Sequence, residues 1–185
     1  MNVKIKDSET IGTNKISSDK KVLKITLTAI FATLITIMTA YICHIPVPAS
    51  GGYIHIGDSM IYLAASLLSK PYAMFAAAIG GAMADLLTAP MWAIPTFIIK
   101  ALIVIPFTKK GTKILCKKNI IATIIAYLIS STGYYLANKF LFGSGIAYLT
   151  SIGSSFIQSG GSAIVYILMA SALDKANVKN RLFKS

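Results

Sequence analysis

Asp58, Asp85 and Lys100 stand inside long apolar runs, and two acids with one base are the main chemical resource of the chain. On insertion scales each such charge near a bilayer centre costs about 2.5–3.5 kcal/mol, so a partner or a task is expected of it. If one acid pairs with Lys100, the other is left to meet a donor on a ligand. Two acids and one base carry excess negative charge unless desolvation protonates one acid. Such a site suits a neutral or weakly basic heterocycle better than an anion. The competing reading is an ion pair or triad that only holds helices together. For Asp58 a further one is a first-turn acid favoured by the helix dipole and free N–H groups.

Other polar and aromatic groups lie nearby in the chain. Tyr53 and His55 precede Asp58 in "GGYIHIGDSMIYL" (51–63), and Trp92 lies in "TAPMWAIP" (88–95). Each is a candidate wall of a small-molecule site, or simply a ring at the membrane–water interface. Asn138 and Gln158 are amides in apolar segments, either ligand contacts or bonds to a neighbouring helix. Tyr134 and Tyr135 read as packing.

No segment reads G-x-x-x-x-G-K-[ST], His-Glu-x-x-His or G-x-S-x-G, so no P-loop, zincin or nucleophile-elbow chemistry is expected. Two histidines are too few for a membrane metalloenzyme, and Cys43 and Cys116 have no metal-ligand spacing and no disulfide pattern. The chain is expected to bind rather than react, without cofactor or metal.

The elements that must position these groups follow from composition. Of 185 residues, 55% are apolar and only 13% charged, against about 25% charged in a soluble domain. The basic residues behind the net charge of +12 are mostly clustered: six of the 18 Lys and Arg fall in residues 1–24, five in 109–118 and four in 175–184. No basic groove with interleaved aromatics appears, which argues against a nucleic-acid reader. Six apolar segments, 22–43, 57–69, 71–88, 92–107, 119–138 and 152–173, lie between the clusters. Pro71 suits the first turn of a new helix, so Lys70-Pro71 is read as a tight hairpin between the second and third segments rather than as part of one helix. The positive-inside rule then puts both termini and the 108–118 loop in the cytoplasm, with 44–56, 88–92 and 139–151 outside. The expected fold is an all-α integral membrane protein of the cell membrane with six transmembrane helices. A flexible cytoplasmic tail (1–20) precedes the membrane domain (21–174), and a basic tail (175–185) follows it.

Depth links the three charges. At ~1.5 Å per residue from the turn at 70–71, Asp58 lies about 18 Å and Asp85 about 21 Å above the inner face, and Lys100 about 12 Å below the outer one. In a core of ~30 Å all three reach about one level in the outer half. On the first span, Ala29-xxx-Thr33 and Thr28-xxx-Ala32 put small side chains on a helix face, for docking against another subunit or for packing within the bundle.

"GGYIHIGDSMIYLAASLL" and "AIGGAMADLLTAPMWAIPTFIIKAL" resemble the substrate-binding S components of energy-coupling-factor (ECF) vitamin transporters, most closely the riboflavin-type group. Gly57-Asp58, Ala84-Asp85-Leu86, and Trp92 with Pro95 to Lys100 carry the resemblance. It implies a six-helix binding subunit that captures a B-vitamin or precursor at the outer face, under a lid formed by the loop between helices one and two. It also implies as partners a shared transmembrane subunit and two cytoplasmic ATPases. The family usually has Ala-xxx-Ala on its first helix, from which Ala29-xxx-Thr33 departs. As cargo, pyridoxine-type pyridines or hydroxymethylpyrimidine are expected first, riboflavin next and thiamin after it. A self-sufficient oligomeric transporter and a structural or assembly membrane protein are the alternatives.

Overall fold

The computed structural model describes the backbone of residues 2–42, 44–47, 52–143 and 147–183, and the side chains of 18–42, 44–45, 55–141, 143, 153 and 155–183. In chain order the elements are helix α1 (Asn2–Ala40), strands β1 (Ile45–Val47) and β2 (Gly52–Ile54), then α2 (Asp58–Leu67) and α3 (Lys70–Thr88). A 3₁₀ turn (Pro90–Trp92) leads into α4 (Ala93–Leu102), followed by α5 (Lys117–Phe142), α6 (Ala147–Lys175) and α7 (Val178–Phe183).

Each expected apolar segment holds one of α1 to α6. Among the described residues four stretches are long and apolar enough to cross a membrane: Ser18–Ala40, Lys70–Thr88, Lys117–Leu141 and Ser155–Lys175. The other two helices, α2 and α4, have 10 residues each, about 15 Å of rise or half of a ~30 Å core. The fourth segment, expected over 92–107, divides into the 3₁₀ turn, α4 and turns that run to residue 106. The break before Pro71 is as expected: α2 ends at Leu67, Ser69 is extended, and Pro71 sits in the first turn of α3.

The arrangement is inside-out relative to a soluble protein. Large apolar side chains such as Phe75, Ile94, Ile124, Phe156 and Leu168 are exposed, whereas Asp58, Ser59, Ser66, Lys100 and Asn119 are buried. A lipid solvent rewards this distribution, because apolar packing costs nothing at its boundary while polar groups must be satisfied internally. All ten residues of α2 are buried. It packs against α1, α3 and α6, and it is joined to α6 at two layers. Gln158 Nε2 donates to Asp58 Oδ2 at 3.0 Å, and Ser66 Oγ meets Tyr166 Oη at 2.8 Å. Both contacts join residues 100 apart, so α2 and α6 run parallel in one register over two turns. Between the layers Tyr62 stacks on Phe107 at 5.1 Å and meets the edge of Tyr166 at 6.0 Å.

Some boundaries differ from expectation. Helix α1 begins at Asn2, so residues expected as a free tail continue the first span as helix. The basic C-terminal stretch carries α7, which packs back on α6 and buries Lys179. The connection between α1 and α2 holds an antiparallel hairpin, Ile45 opposite Ile54 and Val47 opposite Gly52, a small β addition to the expected all-α class. Ala32 of α1 lies where Gly80 lets the helices touch: a Cβ on Gly80 would come within 2.7 Å of the Ala32 carbonyl oxygen. Thr36 Oγ1 donates to the Gly80 carbonyl at 3.0 Å. The Thr28-xxx-Ala32 pair, expected as docking residues, thus belongs to the side of α1 that faces the bundle, whereas Ala29 and Thr33 are exposed.

Asn119 and Asp174 are prominent among the side chains that hold the loop between α4 and α5. Asn119 accepts from Thr108 N–H at 2.8 Å and donates to the carbonyls of Thr108 and Ile114, both at 2.9 Å, and to Ser66 Oγ at 3.1 Å. Asp174 accepts from the N–H groups of Ile114 and Leu115 at 2.7 and 2.9 Å. Asn119→Ala strands several buried partners, each at about 1–3 kcal/mol. A clearly lower unfolding temperature in detergent is expected, and an unchanged one would remove Asn119 as the loop's anchor.

Candidate functional site

The site grows from the start of α2 and the end of α4. Lys100 Nζ lies 2.6 Å from Asp58 Oδ1, and the two side chains are 1% and 0% exposed. The second carboxylate oxygen accepts from Gln158. Both oxygens of Asp58 thus go to tertiary partners, and its side chain is not a helix cap. Each charge nevertheless sits at the helix end that favours it, the acid in the first turn of α2 and the cation in the last turn of α4.

Room for the lysine comes from α3. A Cβ on Gly81 would stand 2.8 Å from Lys100 Cγ and 3.1 Å from Thr96 Cγ2, so the missing side chain is where the Lys100 stem passes. Asp85 is buried one turn further along α3, on the side that meets Lys100 and Thr96. It lies within electrostatic reach of Tyr134.

An aromatic wall borders the pair. The Lys100 ammonium is 5.4 Å from the centre of the Tyr134 ring, in cation–π range. Thr96 Oγ1 is 3.0 Å from Tyr134 Oη, and the Trp92 ring meets Tyr134 edge-on at 5.9 Å. Asn138, also buried, follows Tyr134 by one turn of α5. On the other flank His55 is buried, and its Nδ1 accepts from Gly57 N–H at 2.9 Å. An accepting Nδ1 requires the neutral ring. Gly57 is held between this ring and Thr39 of α1, which a Cβ would strike.

Of the residues singled out from sequence, the structure joins Asp58, Lys100 and Gln158 directly. It puts Trp92 and His55 at their edges and Asp85 and Asn138 on adjoining turns. The side chain of Tyr53 lies outside the described residues. Sequence reasoning assigned Tyr134 to packing and did not single out Thr96 or Gly81. Their signals were available: Thr96 is one helical turn from Lys100, and Tyr134 one turn from Asn138. Among the described residues no three His, Cys, Asp or Glu side chains are grouped to hold a metal ion. The arrangement brings together a neutralised ion pair, an amide and ring faces, groups of the kind that can orient a ligand.

Two outcomes follow. Lys100→Met leaves a buried carboxylate without its cation, at a cost of about 3–5 kcal/mol, whereas Asp58→Asn/Lys100→Met recovers much of it. Unfolding temperatures in detergent test this, and a double variant as unstable as the single one would mean that the charges do not act as a pair. The second concerns pH. Burial, reinforced by Lys100, pushes the His55 imidazole down to about 3. Between that value and the ordinary ~6.5 the unfolded chain binds a proton that the folded one refuses, so stability rises with pH. The contribution is complete above about pH 6.5 and is lost as pH falls toward 3. His55→Gln should flatten the unfolding temperature against pH in that window. An unchanged slope would assign the dependence to other groups.

Comparison with known proteins places the chain in a family. Residues 19–175 match the family described as ECF-type riboflavin transporter, S component. A protein of Pyrococcus woesei, described only as an uncharacterized protein in gap 3'region, is 33% identical over 110 residues, covering 58% of this chain and 74% of its own length. The family match takes in every described residue of the ion pair, the aromatic wall and the helices that carry them, and the chain belongs to the S components of ECF-type riboflavin transporters.

Proposed function

We propose that the protein is the substrate-binding subunit of an ATP-driven importer and that it captures riboflavin beside the Asp58–Lys100 pair. The observation that carries this reading is the buried Asp58–Lys100–Gln158 cluster bordered by Trp92 and Tyr134. A few fixed polar groups beside aromatic surface are what a heterocyclic ligand requires. The pair is internally neutral, which favours an uncharged ring system with amide edges over a carboxylated or phosphorylated one. Asp85, Asn138 and His55 are the further polar contacts, and Tyr53 and Trp92 the rings that cover the cargo. The family's description moves riboflavin ahead of the pyridoxine-type and hydroxymethylpyrimidine cargoes expected from sequence.

The same reading includes an orientation. In it both termini and the 108–118 loop are cytoplasmic, which the lysine clusters support, α2 and α4 count as half-length members of six membrane helices, and the ion pair faces the outer leaflet. The exposed Ala29 and Thr33 face of α1 meets the shared transmembrane subunit, which couples to two ATPases.

Riboflavin fluorescence gives the test. Titration into the detergent-purified protein should show quenching that saturates at one equivalent, and Trp92→Ala should weaken binding by roughly tenfold, about 1.4 kcal/mol. Stabilisation by pyridoxine or hydroxymethylpyrimidine without riboflavin quenching would transfer the cargo to that class. No response to any vitamin would favour the structural role, and cellular uptake undiminished without the ATPases would favour a self-sufficient carrier.

A further inference from the structure

At the end of the bundle away from Asp58, a cleft of about 360 Å³ opens between α1, the end of α2, the loop after α4 and α7. Lys20, Lys24, Lys109 and Lys179 line it, together with apolar side chains that include Leu23 and Leu67. Four cations around one cavity repel each other, and among the described residues none of them forms an ion pair; the pair that does form is Lys100 with Asp58. The nearby acid, Asp174, is already engaged by the N–H groups of Ile114 and Leu115. Lys179 is only 7% exposed. Its ammonium donates to the Lys113 carbonyl at 3.2 Å, one acceptor among the described residues for three donors. Burial also pushes Lys179 below the usual lysine range. A lining of this kind complements an anion that accepts several hydrogen bonds at once.

Position and lining indicate where the anion comes from. Lys20 and Lys24 lie at the start of the apolar stretch Ser18–Ala40, at the depth where a bilayer presents its headgroups. Val22 and Ile25, beside Leu23, are exposed on the same turns of α1, a surface along which an acyl chain can lie. Basic pockets at such boundaries hold phosphorylated headgroups, with about 1 kcal/mol from each lysine near the surface. We propose that this cleft is a phosphate-binding site, occupied by the headgroup of an anionic phospholipid. It is independent of the vitamin site and uses none of its residues.

The test is native mass spectrometry of the full-length protein in neutral detergent, titrated separately with phosphatidylglycerol, phosphatidylcholine and glycerol 3-phosphate. Phosphatidylglycerol should bind roughly tenfold more tightly than phosphatidylcholine, and Lys20→Gln/Lys24→Gln/Lys109→Gln should remove most of that preference. Lys110→Gln/Lys117→Gln/Lys118→Gln, with the same change of charge on lysines that do not line the cleft, should shift it less than about twofold. Lys179 is left intact because it supports the loop, and matching unfolding temperatures of the two variants control for folding. Equal losses in both variants, or no preference for phosphatidylglycerol, overturn the site. Binding of glycerol 3-phosphate as tightly as the lipid keeps the phosphate site and overturns the lipid as its source.

Discussion

A charge enclosed by an apolar bundle has to be answered by another charge, and here that requirement ties the first turn of α2 to the last turn of α4. Neither Asp58 nor Lys100 has a route to water along its own helix, since both are essentially unexposed. The close approach depends on three neighbours: Gly81, whose missing side chain admits the lysine stem, Gln158, which takes the second carboxylate oxygen, and Tyr134, whose ring faces the ammonium. Such a pair is not a cheap source of stability. Replacing a buried ion pair by well-packed apolar side chains is often neutral or stabilising by about 1–4 kcal/mol. Stability alone therefore gives little reason for it. A role in presenting polar groups to a ligand gives a reason, and the rings of Trp92 and Tyr134 alongside support that role.

The pair also accounts for the unusual placement of α2. A ten-residue helix cannot cross a bilayer, and one that carries Asp58, Ser59 and Ser66 cannot face lipid on those sides. It is surrounded by longer helices instead, and its polar groups are divided into two layers. The layer at Asp58 joins α4 and α6; the layer at Ser66 joins α6 through Tyr166 and α5 through Asn119. Apolar and aromatic packing, Tyr62 on Phe107 above all, fills the interval.

Much of this was legible in the sequence, for identifiable reasons. The apolar segments were visible because charge is scarce in them, and the helix break at Pro71 because proline suits a first turn. The meeting of Asp58 and Lys100 was foreshadowed by depth: counting residues from opposite faces brought both to one level. Other features leave no such trace. Two strands of three residues are too short to show a period of two, so 45–54 read as loop. Small residues on α1 indicate that some face is close-packed without saying which, and only the approach of Gly80 shows that Ala32 faces the bundle. Tyr134 lies in an apolar helix where a packing tyrosine and a site tyrosine have the same neighbours in sequence. The polar residues before Ser18 have no apolar periodicity, so nothing in them announced that α1 begins at Asn2.

The parallel register of α2 and α6 gives the bundle a mechanical property. Asp58–Gln158 and Ser66–Tyr166 share one offset, so an axial slide of either helix past the other breaks both contacts at once. Ser66 also accepts from Asn119, the side chain that holds the Thr108 and Ile114 backbone. The helix that carries the acid of the candidate binding site is thus joined, through a rigid rise of about 12 Å, to the loop at the other end of the bundle. A ligand that repositions Asp58 along the helix axis works against the Ser66 layer as well. The two ends are joined by a single fully buried element with polar contacts at both of its ends.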